Sequence, residues 1–473
     1  MSNILIIGTG PLPGPEVEKS GAAALRTWQI ARPLLESPHK IRLIALPDED
    51  AAKNATAPQE TTLEHEAFPY VMPNVAGLAE AADYLAKTVE EFAPDCIVAV
   101  NLYPAYAASL IAGNCPLWVD LPDPAMASAQ VSGERMQSDD LTEATWKRVA
   151  AVLSRADKLS VISMPQLYLL LGELGMLGRV NHQTAHYHFA HHIPAAVHPY
   201  FARPTPPAAR SELRRGIVPQ DAFVVLWSGG FDATVDIETL VESLNKAMSL
   251  NAQLHFVATG AEIHTDESAY QHLRATIKSS PYQERFHLLG WVPTSTLPLL
   301  YREADLGISI DAMTYETLFS SRFRLINMMA AGLPVLSTIG SELSHILKEE
   351  QIGLTAAVAD PDAIAELIVR ASRHVHDTRA MGQKARGYVT RHFSSTTLAR
   401  PLREWVDNAD LAPDNTSKAA QANGHHRLQD VALNAIQQRF VVPAEVEEKP
   451  TRGGAASGSF SKNWISRMIR RER

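Results

Sequence analysis

"SSRFRLINMMAAGLPVLST", Ser320 to Thr338, runs from paired hydroxyls and arginines through an apolar helical stretch into a β-branched strand. The spacing predicts one helix from about Ser321 to Ala331. Gly332 can take the left-handed conformation that closes a helix, and Pro334 forbids continuation before the strand "VLST". This end of the stretch is an α-to-β junction. The other end carries chemistry. Unpaired amides around Phe319 to Arg322, with the hydroxyls of Ser320 and Ser321, predict an anion site, and Arg322 and Arg324 supply charge to match.

The same alternation extends outward in both directions. "ILIIGTG", "IRLIALP", "DCIVAVN", "PLWVDLPD" and "KLSVIS" read as buried parallel strands, separated by helical stretches such as "VAGLAEAADYLAKTVEEFA" and "DLTEATWKRVAAVLSRA". Prolines 204, 206 and 207 then interrupt the pattern in "FARPTPPAARSELRRGI", which reads as a connector. Beyond it "AFVVLWSGG", "LHFVATG", "RFHLLGWVP", "DLGISI" and "LPVLSTIG" restart the strand-helix order. The expected organisation is an α/β domain over 1–200, a linker over 201–217, and a second α/β domain over 218–394. A helix over 395–409 returns toward the first lobe, and a tail covers 410–473. Each domain is expected to be a doubly wound, Rossmann-like sheet, with a cleft facing the carboxyl ends of both. The tail is expected to be largely disordered with short helices, among them "RLQDVALNAIQQRF".

Composition fits two cores: the chain has 473 residues, 46% hydrophobic and 20% charged. A formal charge of −9 argues against nonspecific nucleic-acid binding. Cys96 and Cys115 match no metal spacing, so a reduced cytoplasmic setting is expected. No secretory leader or membrane span is expected. The terminal "SKNWISRMIRRER" carries Lys462, Arg467, Arg470, Arg471 and Arg473 against Glu472, with Trp464, Ile465, Met468 and Ile469 at helical spacing. Residues 460–473 could therefore touch an anionic membrane surface or form a basic tail. The cluster His186, His188, His191 and His192 raises the question of zinc, since alternation would put His186 and His188 on one strand face, but no acidic or cysteine partner lies nearby, and no metal is expected.

The ordered series "GG", a strand ending in Gly260, "GWVP", "YREAD" and "AAGLPV" resembles the C-terminal lobe of GT-B glycosyltransferases of the retaining family-4 type, also called glycosyl transferases group 1. The resemblance covers roughly residues 1–409 and is strongest over 223–367. It implies transfer of a sugar from a nucleoside-diphosphate-sugar, with retention, to a glycan, lipid-linked or protein acceptor, without cofactor or metal. In that family the helix before "AAGLPV" binds the diphosphate at its N-terminus and ribose through a carboxylate. Here Asn327 stands at the ribose position, Phe319 eight residues before it, and Glu316 is the nearest upstream acid. The family's Arg and Lys after the first strand of this lobe are absent from "LWSGGFDATVDIETL". Ser228, Gly229, Gly230, Arg322 and Arg324 are the local substitutes. The resemblance assigns donor contacts also to Ser20, Gly21 and Gly260, and catalytic roles to Asp120, Glu316 and Arg322. Asp123 and Asn101 fall on the acceptor side. The missing pair leaves an alternative open: an inactive glycosyltransferase-like binding or partner subunit.

Overall fold

The computed structural model describes residues 1–12, 21–47, 61–65, 68–197, 201, 213–262 and 267–416. Ser20, the connector prolines, the helical stretch 427–440 and the basic end 460–473 lie outside the described residues.

The first lobe holds β1 (Asn3–Thr9), β2 (Lys40–Leu46), β3 (Thr61–His65), β4 (Phe68–Met72), β5 (Cys96–Val100), β6 (Leu117–Leu121), β7 (Lys158–Val161) and β8 (Ala190–His192). They form one sheet in the order β3-β4-β2-β1-β5-β6-β7-β8, parallel except for β3. Both faces are covered, so Ile4, Leu5, Ile6 and Ile7 of β1 are all fully buried, as a central parallel strand requires. The short antiparallel edge β3/β4 and the strand β8 inside the histidine-rich stretch add to the five strands expected.

The second lobe holds β9 (Phe223–Ser228), β10 (Leu254–Thr259), β11 (Phe286–Leu288), β12 (Leu306–Ser309), β13 (Val335–Thr338) and β14 (Leu354–Ala356). Its sheet is wholly parallel in the order β11-β10-β9-β12-β13-β14. Chain order reverses between β1 and β5 in one sheet and between β9 and β12 in the other. These are the switch points where open α/β sheets bind ligands, beyond the carboxyl ends of the strands.

The junction before β13 forms as its residues dictate. Gly332 has φ +83°, its amide donates to the Met329 carbonyl at 2.9 Å, and the Leu333 amide donates to Met328 at 3.0 Å. The chain then crosses back. The Val197 amide donates to the Phe393 carbonyl at 2.9 Å, and the helix Arg400–Asp407 buries Leu402, Trp405 and Val406 in the first lobe, with Trp405 5.5 Å from Trp118. Residues 410–416, expected to open the tail, instead pack onto the first lobe: the Ala412 amide donates to Asp157 Oδ1 at 2.8 Å, and Asp414 pairs with the buried Arg179. No helix among the described residues is long and apolar enough to cross a membrane.

Candidate functional site

The helix expected over Ser321–Ala331 is broken. A short helix, Tyr315–Phe319, is followed by extended backbone at Ser320 and Arg322, and the second helix spans Phe323–Ala330. Arg322 makes the break. Its Nη1 and Nη2 donate to Glu316 Oε1 and Oε2, each at 2.9 Å, and further to Ser320 Oγ at 2.7 Å and Thr317 Oγ1 at 3.2 Å. Its Nε lies 3.2 Å from Asp311 Oδ2. The side chain is buried; burial opposes its charge, yet Asp311 and Glu316 more than reverse that and hold its pKa well above the ordinary value. Arg322 and Glu316, both expected to meet the donor, are therefore committed to each other. That is a correction: both oxygens of Glu316 are engaged by a buried arginine, which makes it an internal ion-pair partner rather than a free acid.

Arg324, two residues on, is held differently. Its guanidinium lies 4.2 Å from the Trp227 ring, Nη2 reaches the Gly230 carbonyl at 3.5 Å, and Nη1 is buried without a partner. Burial lowers its pKa, with Asp311 and Asp232 opposing. No carboxylate hydrogen-bonds it among the described residues. Arg324 lies against the turn Ser228-Gly229-Gly230 at the β9 switch point. A side chain on Gly229, at φ +114°, would meet Arg324 Nε at 3.6 Å. Gly260, at φ +99°, abuts the same turn so closely that a Cβ would fall 2.2 Å from the Gly229 carbonyl oxygen. The Ser228 hydroxyl is not free: it lies 2.8 Å from the Tyr301 hydroxyl and accepts from Thr259 Oγ1 at 3.3 Å. Asn327 is buried on the Phe323–Ala330 helix. Phe319 stacks on Tyr315, and its carbonyl accepts from Ser163 Oγ of the first lobe. Ser321 is half-buried at the break.

In the first lobe, Asp123 faces the second. Its side chain meets solvent, while surrounding protein pushes its carboxyl up to about 6: burial dominates, the Ser128 hydrogen bond opposes, and Glu316 and Asp232 add like charge. Asp120 does not reach the cleft. It is fully buried, with Arg26 Nε and Nη2 on its two oxygens at 2.8 Å each and the Ser160 hydroxyl on Oδ1 at 2.6 Å. Its catalytic assignment is corrected accordingly; the pair braces β6 against the first helix. Asn101 is half-buried and its amide is engaged within the lobe, donating to Thr9 Oγ1 at 3.1 Å and the Ala23 carbonyl at 3.0 Å. Gly21 caps the helix Ala22–Leu35 and faces open space. Of the histidines, His191 stacks on Trp118 at 5.0 Å, its pKa lowered to about 4 by burial and by Lys158 and His188. His192 lies 3.5 Å from Glu342 of the second lobe, whose other oxygen accepts from the Met164 amide at 3.0 Å. Sequence reasoning missed Trp227, Asp232, Asp311, Tyr301 and Glu342. Only the aromatic residue just before "SGG" offered a local signal for any of them.

Residues 222–374, within the second lobe, match the family described as glycosyl transferases group 1. Among curated proteins, no sequence matches the chain. Among solved structures, sucrose-phosphate synthase from Thermosynechococcus elongatus is similar at 17% identity and TM-score 0.67, over 86% of this chain and 98% of that one. Anabaena HepE in complex with UDP and glucose is similar at 14% identity and TM-score 0.64, over 86% and 100%. The E. coli trehalose-6-phosphate structure bound with UDP-2-fluoro glucose is similar at 11% identity and TM-score 0.61, over 86% and 99%. The chain thus has the GT-B glycosyltransferase fold. Its second lobe carries the group 1 family match.

Proposed function

We propose that the chain is a retaining glycosyltransferase, moving a sugar from a nucleoside-diphosphate-sugar to an acceptor held by the first lobe, in glycan or glycoconjugate synthesis. The observation that carries this is Arg324: a half-buried cation whose Nη1 is buried without a hydrogen-bond partner, set beside a two-glycine turn at the switch point of the second sheet. Charge that builds on the departing diphosphate would be met by Arg324, by the Gly230 amide and by the first-turn amides of Phe323–Ala330. Asn327 would bind ribose hydroxyls in place of a carboxylate, as an amide can both donate and accept. Asp123 would hold a hydroxyl of the acceptor or the transferred sugar. No metal or cofactor enters the scheme. The setting is cytoplasmic, with 460–473 giving contact with an anionic membrane. The solved structures of similar fold that hold UDP or UDP-glucose make UDP-sugars the first donors to try.

Calorimetric titration with UDP, GDP and ADP tests this reading. At least one should bind in the micromolar range typical of substrates (about 1 μM to 1 mM); silence from all three would sink it. A pH dependence follows from Asp123. Its folded-state carboxyl, raised to about 6, carries charge above that pH and loses it below. A diphosphate is repelled by the charged form, so affinity should rise several-fold as pH falls from 7.5 to 5.5. Asp123→Asn should flatten the profile, and an unchanged slope in that variant would remove Asp123 from the site.

One observation favours a second reading, a binding or partner subunit without turnover: Arg322 occupies both oxygens of Glu316, so the sugar-facing acid of the resembled family has no free counterpart here. Release of glucose from UDP-glucose by the purified chain, abolished in Arg324→Ala, would exclude it.

A further inference from the structure

The two arginines of "SSRFR" have opposite electrostatic fates, and the contrast singles out a third residue. Arg322 is neutralised by Glu316 and Asp311. Arg324 instead rests on the face of an indole, an arrangement that orients a guanidinium without cancelling its charge. The indole belongs to Trp227, the penultimate residue of β9, which is fully buried and stacked on Phe231 with centroids 4.8 Å apart and planes 14° from parallel. Its Nε1–H donates to the Gly229 carbonyl at 3.0 Å. One rigid side chain therefore touches both halves of the anion cradle, the cation and the glycine turn. We propose that Trp227 is a positioning residue for the donor diphosphate, fixing Arg324 by its ring face and the Gly229–Gly230 turn by its N–H. This rests on the donor-site reading above.

The chemistry explains why tryptophan suits the position. A carboxylate in its place would hold Arg324 more tightly but would neutralise the charge a diphosphate needs. An aliphatic residue would fill the space but leave the guanidinium free to turn and the Gly229 carbonyl without its donor. Phenylalanine would keep a weaker ring face and lose the N–H. With Trp227 in place, Nη2 is directed to the Gly230 carbonyl and Nη1 is left without a protein partner. A pyrophosphate oxygen at Nη1 would complete the set.

The test is calorimetric titration of the full chain with inorganic pyrophosphate and UDP, and with uridine as the phosphate-free control. Arg324→Ala should weaken pyrophosphate and UDP about 100-fold, as loss of a charge-assisted contact does. Trp227→Leu should weaken both about tenfold and Trp227→Phe about threefold, in keeping with a lost or weakened cation–π contact. Uridine affinity should change less than about twofold in each, because it makes no phosphate contact. Should Trp227→Leu fail to fold, Trp227→Phe and Arg324→Lys carry the comparison, the lysine losing the planar stack and about tenfold in pyrophosphate affinity. Equal losses for uridine and pyrophosphate would show a merely structural role and overturn the proposal, as would variants that bind pyrophosphate like the wild type. A wild-type chain that binds neither pyrophosphate nor UDP, GDP or ADP would instead fell the donor-site reading itself, and this inference with it.

Discussion

Arg322→Met should destabilise the protein by about 3–5 kcal/mol, the cost of removing one partner from a buried ion pair. The substitution keeps much of the side chain's volume, so the loss would be electrostatic rather than a cavity effect. Glu316 and Asp311 are both buried, and without the guanidinium two carboxylates face each other with no cation hydrogen-bonded to either. The backbone between the helices Tyr315–Phe319 and Phe323–Ala330 would lose its tether as well, since Ser320 and Thr317 also accept from Arg322. The double variant Arg322→Met with Glu316→Gln should recover part of the loss, because only Asp311 then remains uncompensated. Urea denaturation of the three proteins reads this directly. A loss under about 1 kcal/mol in the single variant would mean that the pair is solvent-screened, contrary to its burial. Pyrophosphate affinity of the folded variant separates the two arginines further: it should fall far less than in Arg324→Ala, since Arg322 spends its donors inside the protein.

The misplacement of Arg322 in the sequence reading has a physical origin. Arg322 and Arg324 stand in the same five-residue stretch, and nothing local distinguishes a guanidinium that turns back to a carboxylate six residues upstream from one that crosses to β9. What decides is the approach of Asp311 on one side and Trp227 on the other, both set by sheet register. Asp120 was misread for the same reason. "VDLPD" has the look of a strand end presenting its acids to a cleft, and Asp123 does so; Asp120 meets Arg26, 94 residues upstream, inside the lobe. By contrast the parallel sheets were legible, because strands buried on both faces read as unbroken β-branched runs between amphipathic helices. So was the stop at Gly332 and Pro334, where backbone geometry is dictated by two residues alone. The edge strands β3 and β4 were not, since "TTLEH" and "FPYVM" are five residues each, the second carries a proline, and neither is an unbroken β-branched run. Features written in local backbone chemistry were readable. Those written in pairings across the fold were not.

The segment 410–416 is the clearest case of such a pairing, and its removal should have an effect comparable to that of Arg322→Met. "DLAPDNT" has the composition of a loop, with nothing apolar enough to suggest docking. Yet Asp414 accepts from Arg179 Nε and Nη2 at 2.8 Å each, across 235 residues of chain, and both side chains are buried. Arg179 also donates through Nη1 to the carbonyls of Leu153 and Ala156, and its guanidinium lies 4.6 Å from the Phe189 ring. Beside it the fully buried Asp157 accepts from the amides of Leu117 and Ala412, from Arg155 Nη1 and from Asn415 Nδ2, each at 2.8 Å. Asp414→Ala would strand a guanidinium that cannot deprotonate, so about 3–5 kcal/mol should be lost. Ending the chain after Asp410 should cost at least as much, because Asp157 would lose two further donors. The control is Arg179→Met with Asp414→Leu, which removes both charges and should lie closer to the wild type than Asp414→Ala does. Denaturant midpoints followed by tryptophan fluorescence settle the order of the four proteins. If the chain ended after Asp410 matches the wild type, the segment is an ornament of the first lobe and not part of what holds it together.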